Sequence, residues 1–185
     1  MEHSKSTRDS AQYVETIAEV FVETVQKSAV KAMCRENEHS EITQSLMECL
    51  EYVYLHGEPP IREIAFGLEM SLSAASQLVE RLAKKDLVTR REDVSDRRLA
   101  KVGLTDAGEA VVSEMRERRS KWFTSVVDAM PESKRHAFLE GLEGFLKIAL
   151  SSQENIDRVC VRCGIEHVPY CVVSKVKIQR AEARE

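Results

Sequence analysis

Apolar residues in this chain follow two rhythms, and the change from one to the other falls near the middle of the sequence. Val14, Ile17, Phe21, Val25, Ala29 and Ala32 recur at three- and four-residue steps with neither Gly nor Pro between them, which predicts one long amphipathic helix. Ile42, Leu46, Cys49, Leu50 and Val53 mark the face of a second helix, with Ser40 placed to cap it and Gly57, Pro59 and Pro60 to end it. Two shorter helical patterns follow, "IREIAFGLEM" (61–70) and "SLSAASQLVERLAKK" (71–85), parted by a break near Gly67 to Met70. In the second, Ser71 is placed to cap, Ala75, Leu78, Val79 and Leu82 face inward, and Ser73, Ala74, Ser76, Gln77 and Arg81 face outward. Then the period drops to two. "LVTRRED" and "RLAKVGLT" each alternate as strands do, and the polar "VSD" between them supplies a turn, so a hairpin directly follows a helix–turn–helix. Beyond it Thr105 caps a long helix whose Val111, Met115, Trp122, Val126 and Met130 share a face. Pro131 and Ser133 restart the chain into a last stripe of Leu142, Phe145, Leu146 and Ala149, where Gly141 and Gly144 leave room for a close neighbour.

Composition adds bounds to this pattern. A chain of 185 residues with 43% hydrophobic content reads as one soluble domain with a small appendage. It holds no run of about 18 apolar residues, and "MEHSKSTRDSAQ" is polar where a signal peptide requires an apolar segment, so a cytoplasmic location is expected. There the five cysteines stay reduced, and their spacing points to packing, metal or redox chemistry before structural disulfides. Cys34 and Cys49 read as small apolar fillers.

The net charge of −4 argues against a general nucleic-acid binder, but binding depends on where charge sits. Residues 1–58 are acidic, whereas the span from Ile61 to Leu104 carries Arg62, Arg81, Lys84, Lys85, Arg90, Arg91, Arg97, Arg98 and Lys101. A helix pair alone fits a plain bundle as well as a DNA reader. The hairpin shifts the balance, because Arg97 and Arg98 in its loop can reach a phosphate or a narrow minor groove while Asp93 and Asp96 hold the loop in shape.

The stretch "MSLSAASQLVERLAKKDLVTRREDVSDRRLAKVGLTDAG" resembles the core of the MarR family of winged-helix transcriptional regulators, and the likeness runs from 61 to 108. It is carried by Asp96, Arg97 and Arg98 in the wing and by Leu104, Thr105 and Gly108 after it. Asp86 departs from the pattern, standing where the family places the glycine of a left-handed turn. The resemblance implies a mainly α fold: a winged helix–turn–helix with a small β-hairpin wing, and long N- and C-terminal helices that entwine into a homodimer. It divides the chain into N-terminal support helices (1–58), a DNA-binding region (59–104), C-terminal dimerisation helices (105–152) and a tail (153–185). The implied function is that of a dimeric regulator, a repressor by family habit, which binds a palindromic operator in double-stranded DNA and is released by a small-molecule, metal or redox signal. Ser71, Ser73, Ala74, Ser76, Gln77, Arg81, Arg91, Arg97 and Arg98 form the expected DNA-binding set. Trp122 and His136 could border an effector pocket, or be a packed ring and a surface imidazole.

The tail lies outside that resemblance. Cys160, Cys163, His167 and Cys171 form a C-x2-C-x3-H-x3-C array, four ligands of the kind that tetrahedral zinc takes, with an iron–sulfur cluster as the lesser option. Arg158, Arg162 and Lys175 stand near enough in sequence to offset its thiolate charge. A redox thiol pair and inert packing are the other readings, and so is a tail that docks a partner protein. An enzyme is not expected: no nucleophile–base pair, phosphate loop or carboxylate pair occurs at motif spacing, and Glu166 beside His167 is too little for acid–base chemistry.

Overall fold

The computed structural model describes residues 2–34, 42–92, 100–150, 152–163 and 171–174. Seven helices and one hairpin are seen among them: α1 (Glu2–Cys34), α2 (Gln44–His56), α3 (Ile61–Gly67), α4 (Leu72–Lys84), β1 (Val88–Glu92), β2 (Ala100–Leu104), α5 (Asp106–Asp128), α6 (Glu132–Ala149) and α7 (Gln153–Cys163). The architecture is mostly helical with a two-stranded antiparallel sheet. None of the described helices is long and apolar enough to cross a membrane.

The main core lies where α2, α3, α4, the hairpin and the first turns of α5 meet. Leu46, Leu50 and Val53 of α2, Ile64 of α3, Val79 and Leu82 of α4, Val102 of β2 and Val112 of α5 are buried together, and Cys49 fills a gap among them as a small apolar side chain. The start of α2 corrects the sequence reading. Thr43, not Ser40, occupies the cap position, and it makes no side-chain capping bond; Ser40 lies outside the described residues. Ile42 is instead buried just ahead of the helix, so apolar anchoring fixes the entry of the chain where a capping hydroxyl was expected.

At its other end α2 closes at Gly57, whose φ of 75° lies in the left-handed region that costs glycine nothing. The following Pro59 runs beside β2, where its carbonyl accepts from the Val102 N–H at 3.0 Å and Pro60 bridges to Lys101. The linker thus covers the open edge of the hairpin. Within the hairpin Val88 pairs with Leu104, Arg90 with Val102 and Glu92 with Ala100, so the two strands run in register away from the core toward the loop.

The terminal helices are packed differently. In α1 every described side chain from Ala11 to Lys27 is exposed except Phe21 and Val25, and Phe21 meets Phe138 of α6 edge to face at 5.8 Å. The stripe predicted on α5 divides in two: Val111 and Met115 are in the core, whereas Trp122 and Met130 are half-buried and Val126 is exposed. No residue of α6 is buried. After α6 a second small core forms around Leu150 and Ile156, packed by Leu146, Cys160, Val172 and Val173, and α7 lies against α2 and α3.

Candidate nucleic-acid interface

Three turns decide how α4 is presented. The first separates α3 from α4. Here Leu68 and Met70 donate backbone bonds back to Ile64 and Ala65, and Glu69 takes a φ of 53° to reverse the chain. Gly67 lies flat under Tyr52, because a Cβ there would stand 2.1 Å from the phenol ring. Tyr52 in turn stacks on His56 with centroids 3.9 Å apart. Next, Ser71 caps α4 as predicted, its Oγ accepting from the Ala74 N–H at 3.1 Å. At the far end the helix leaves through Asp86, whose φ of 57° keeps the left-handed turn despite the absence of glycine.

That last turn is held by the segment that follows the hairpin. Thr105 Oγ1 donates to the Asp86 carbonyl at 2.6 Å and accepts from the Gly108 N–H at 3.0 Å, while the Thr105 N–H donates to the Leu87 carbonyl at 3.2 Å. One threonine therefore caps α5 and ties it to the end of α4. Gly108 completes the clamp, since a Cβ there would come within 2.0 Å of the Leu87 carbonyl oxygen. The Leu-Thr-x-x-Gly stretch is explained by this close approach.

With α4 fixed at both ends, Ala75, Leu78, Val79 and Leu82 are buried as predicted. Of the expected DNA-facing side chains, Ser71, Ser73, Gln77 and Arg81 are exposed, and Ala74 and Ser76 are half-buried at the flanks of the helix. Arg91 is exposed on β1, with its guanidinium 3.7 Å from Glu58. Asp93, Asp96, Arg97 and Arg98 lie outside the described residues. The exposed side chains of the first half of α4 carry no charge, and the cations come later: Arg81 and Lys84 on the helix, Arg90 and Arg91 on the strand. Lys84 holds Glu80 at 2.7 Å, and this hydrogen bond, reinforced by the charges of Lys84 and Arg90, keeps the Glu80 carboxyl below its ordinary range.

Sequence reasoning passed over several groups on this side of the domain. Leu72 is 57% exposed at the first position of α4. The tie between α2 and α5 was also missed: Arg116 reaches Glu51 at 3.0 Å and Arg119 reaches it through two bonds of 2.7 and 3.1 Å, all partly buried.

The residues named for metal are divided. Cys160 and Cys171 are half-buried, Cys163 lies in the last turn of α7, and His167 is outside the described residues. Among the described residues no group of three potential metal ligands converges. Of the pair named for an effector, Trp122 packs edge to face on Phe123. His136 is exposed and lines a groove of about 430 Å³ between α5 and α6 with Phe123, Val127, Phe138, Leu139 and Leu142, a groove that Trp122 does not line.

Comparison with known proteins decides the fold family. Residues 42–99, which include α2, α3, α4 and β1, match the family model described as the MarR family. Over that segment the chain is similar to the MarR family. It is 25% identical over 93 residues to an uncharacterised helix–turn–helix transcriptional regulator of Bacillus subtilis, YsmB, covering half of this chain and 64% of that protein. It is 30% identical over 83 residues to the helix–turn–helix transcriptional repressor MdtR of the same organism, covering 45% of this chain and 54% of MdtR. The aligned parts thus fall short of two thirds of either relative. Among solved structures, Streptococcus pneumoniae FabT in complex with DNA superposes with a TM-score of 0.64 at 16% identity, covering 75% of this chain and 96% of FabT, a likeness of fold. Both of these relatives are named as regulators of transcription.

Proposed function

We propose that this chain is a cytoplasmic, dimeric regulator of the MarR family that binds a roughly palindromic operator in double-stranded DNA and represses transcription until a small-molecule, metal or redox signal releases it. The observation that carries the reading is α4 itself. It is clamped at both ends, its leading face is exposed and uncharged, and cations follow on its last turn and on the adjoining strand. Such a helix enters a major groove with its first turns against base edges, while the cations and the wing arginines Arg97 and Arg98 contact phosphate or the flanking minor groove. The likeness in fold to FabT, solved with DNA, and the sequence likeness to the repressor MdtR support the same function.

The dimer is supported by apolar surface that one chain leaves uncovered. Tyr13, Val14, Ile17 and Val20 of α1, with Leu139, Phe145 and Ile148 of α6, are each more than half exposed. No heavy atom stands within 4 Å of where a Cβ would sit at Gly141 or Gly144, which leaves α6 open to a close neighbour. A second copy entwining these helices removes that surface from water, and two reading heads then fall one helical turn of DNA apart. The effector acts by changing their separation.

The division of labour is tested by filter binding over a salt series. Arg97→Ala and Arg98→Ala weaken binding to specific and random duplexes alike and flatten the salt dependence, whereas Gln77→Ala relaxes preference at one base position by about 1–3 kcal/mol. Equal effects of all three on both duplexes contradict it. For the tail the reading is one zinc per protomer held by Cys160, Cys163, His167 and Cys171, which are borderline and soft donors of the kind zinc takes. It is supported by the small core in which Cys160 packs with Leu150 and Ile156 beside Val172 and Val173, the residues that follow Cys171 in sequence. Zinc supplies a closed structural crosslink there. Cys163→Ser then lowers metal content and protease resistance beyond Leu150; metal-free protein whose thiols pair reversibly under mild oxidant establishes the redox reading instead.

A further inference from the structure

Leu72 is unexplained by the fold. Its neighbours on the inward face of α4 are fully or nearly fully buried, Ala75 and Val79 at 0% and Leu78 at 8%, yet Leu72 is 57% exposed. The cause is its place on the helix. Side chains of an α-helix lean toward the N-terminus, so the residue after the cap projects ahead of the helix and past the domain it belongs to. Ser71 on one side is engaged in capping, and Ser73 on the other is exposed. An isobutyl group is therefore carried at the leading tip of the helix that the proposed function places in the major groove.

The chemistry of a base edge offers one apolar feature there, the C5-methyl group of thymine. Hydroxyls and amides read donors and acceptors, arginine prefers guanine, and a leucine does neither. The side chains around the tip give no competing attraction to phosphate, because none of the exposed residues from Ser71 to Gln77 is charged. Gln77, one and a half turns further on, has the amide that pairs with adenine through two hydrogen bonds.

We infer that Leu72 is a specificity-determining residue which packs on a thymine methyl group, so that each half-site requires a thymine at the position met by the tip of α4. This rests on the proposed DNA-binding function and adds a residue and a base to it. Burial of one methyl group sets the scale at about fourfold in affinity per half-site, hence about fifteenfold for a symmetric operator.

The test uses the full-length chain and a duplex that it has itself selected from random DNA. Each thymine is replaced in turn, in both half-sites, by deoxyuridine, which removes the methyl group and keeps every hydrogen-bonding atom. One position is expected to weaken wild-type binding by about fifteenfold and to weaken Leu72→Ala less than twofold. Because Leu72 is largely exposed, the variant should keep its fold, which circular dichroism and an unaltered urea midpoint verify. No sensitive thymine, or equal sensitivity in wild type and variant, overturns the inference while leaving DNA binding intact. A wild-type chain that selects no sequence at all overturns the DNA-binding function and the inference with it.

Discussion

Replacing Gly108 by alanine probes the clamp that orients the reading helix. The added Cβ would stand 2.0 Å from the Leu87 carbonyl oxygen, 3.0 Å from its carbonyl carbon and 3.3 Å from Leu104 Cδ2. Two of these atoms are backbone, so no side-chain rotation relieves the clash, and the start of α5 must move about 1 Å or more from Leu87. That movement strains the 3.2 Å bond from the Thr105 N–H to Leu87 and the 2.6 Å bond from Thr105 Oγ1 to Asp86. Forcing a group into a packed site costs about 1–3 kcal/mol, and a weakened cap and hydrogen bond add about 1 kcal/mol each. The helix preference of alanine over glycine returns about 1 kcal/mol. The net expectation is a loss of about 2–4 kcal/mol, read as a lower urea midpoint at unchanged slope and fixed protein concentration. Operator affinity should fall as well, because the end of α4 shifts with Leu87. Thr105→Ser keeps the hydroxyl and is expected to cost less than about 0.5 kcal/mol. If Gly108→Ala matches wild type or exceeds it in stability, the close approach is absent and the reasoning about the clamp is wrong.

Asp86→Gly should stabilise the chain by about 0.5–1 kcal/mol, since glycine takes the observed φ of 57° without strain, and an unchanged or lower urea midpoint would show that the aspartate is held there by something more than backbone geometry. Glu51→Gln removes the charge that both Arg116 and Arg119 engage and should cost about 1–3 kcal/mol of stability, with no loss in the triple replacement of Glu51, Arg116 and Arg119 beyond that of Glu51 alone; additive losses would mean that the three do not act as a unit. Burial pushes the Cys49 thiol up to about 12, so mass spectrometry after alkylation at pH 8 should find it unmodified in folded protein and modified in urea. The sign of its linkage follows: the unfolded thiol ionises near its ordinary value of 9.0 and the folded one only near 12, so this contribution to stability is intact below pH 9 and declines as pH rises from about 9 to about 12.

Local patterns were the most legible part of the sequence. The inward stripe of α4, the Ser71 and Thr105 caps and the Gly57 stop each depend on residues within a turn or two of one another, and all are present. The hairpin was legible too, because alternation fixes which side of each strand meets the core. What spacing does not carry is contact across the chain. Glu51 and Arg119 are 68 residues apart and read as ordinary surface charges until α2 and α5 are packed together. Gly108 reads as a motif position, and only the approach of Leu87 gives its physical reason. The start of α2 was misread because a capping serine was weighed above a buried isoleucine. Leu72 was passed over because its position on the helix face does not reveal that the tip overhangs the domain. The stripes of α1 and α6 were read correctly as apolar faces, but one chain covers neither, and the surface they leave is the reason a dimer is proposed.

The central claim is that this winged helix reads DNA as a symmetric pair, and selection from a random duplex library by the full-length protein, with the mass of the selected complex measured by light scattering, tests it most directly. The expected result is an inverted repeat with half-sites about one helical turn apart, bound by two chains per duplex. Recovery of DNA without a shared sequence, or of a single half-site bound by one chain, contradicts it.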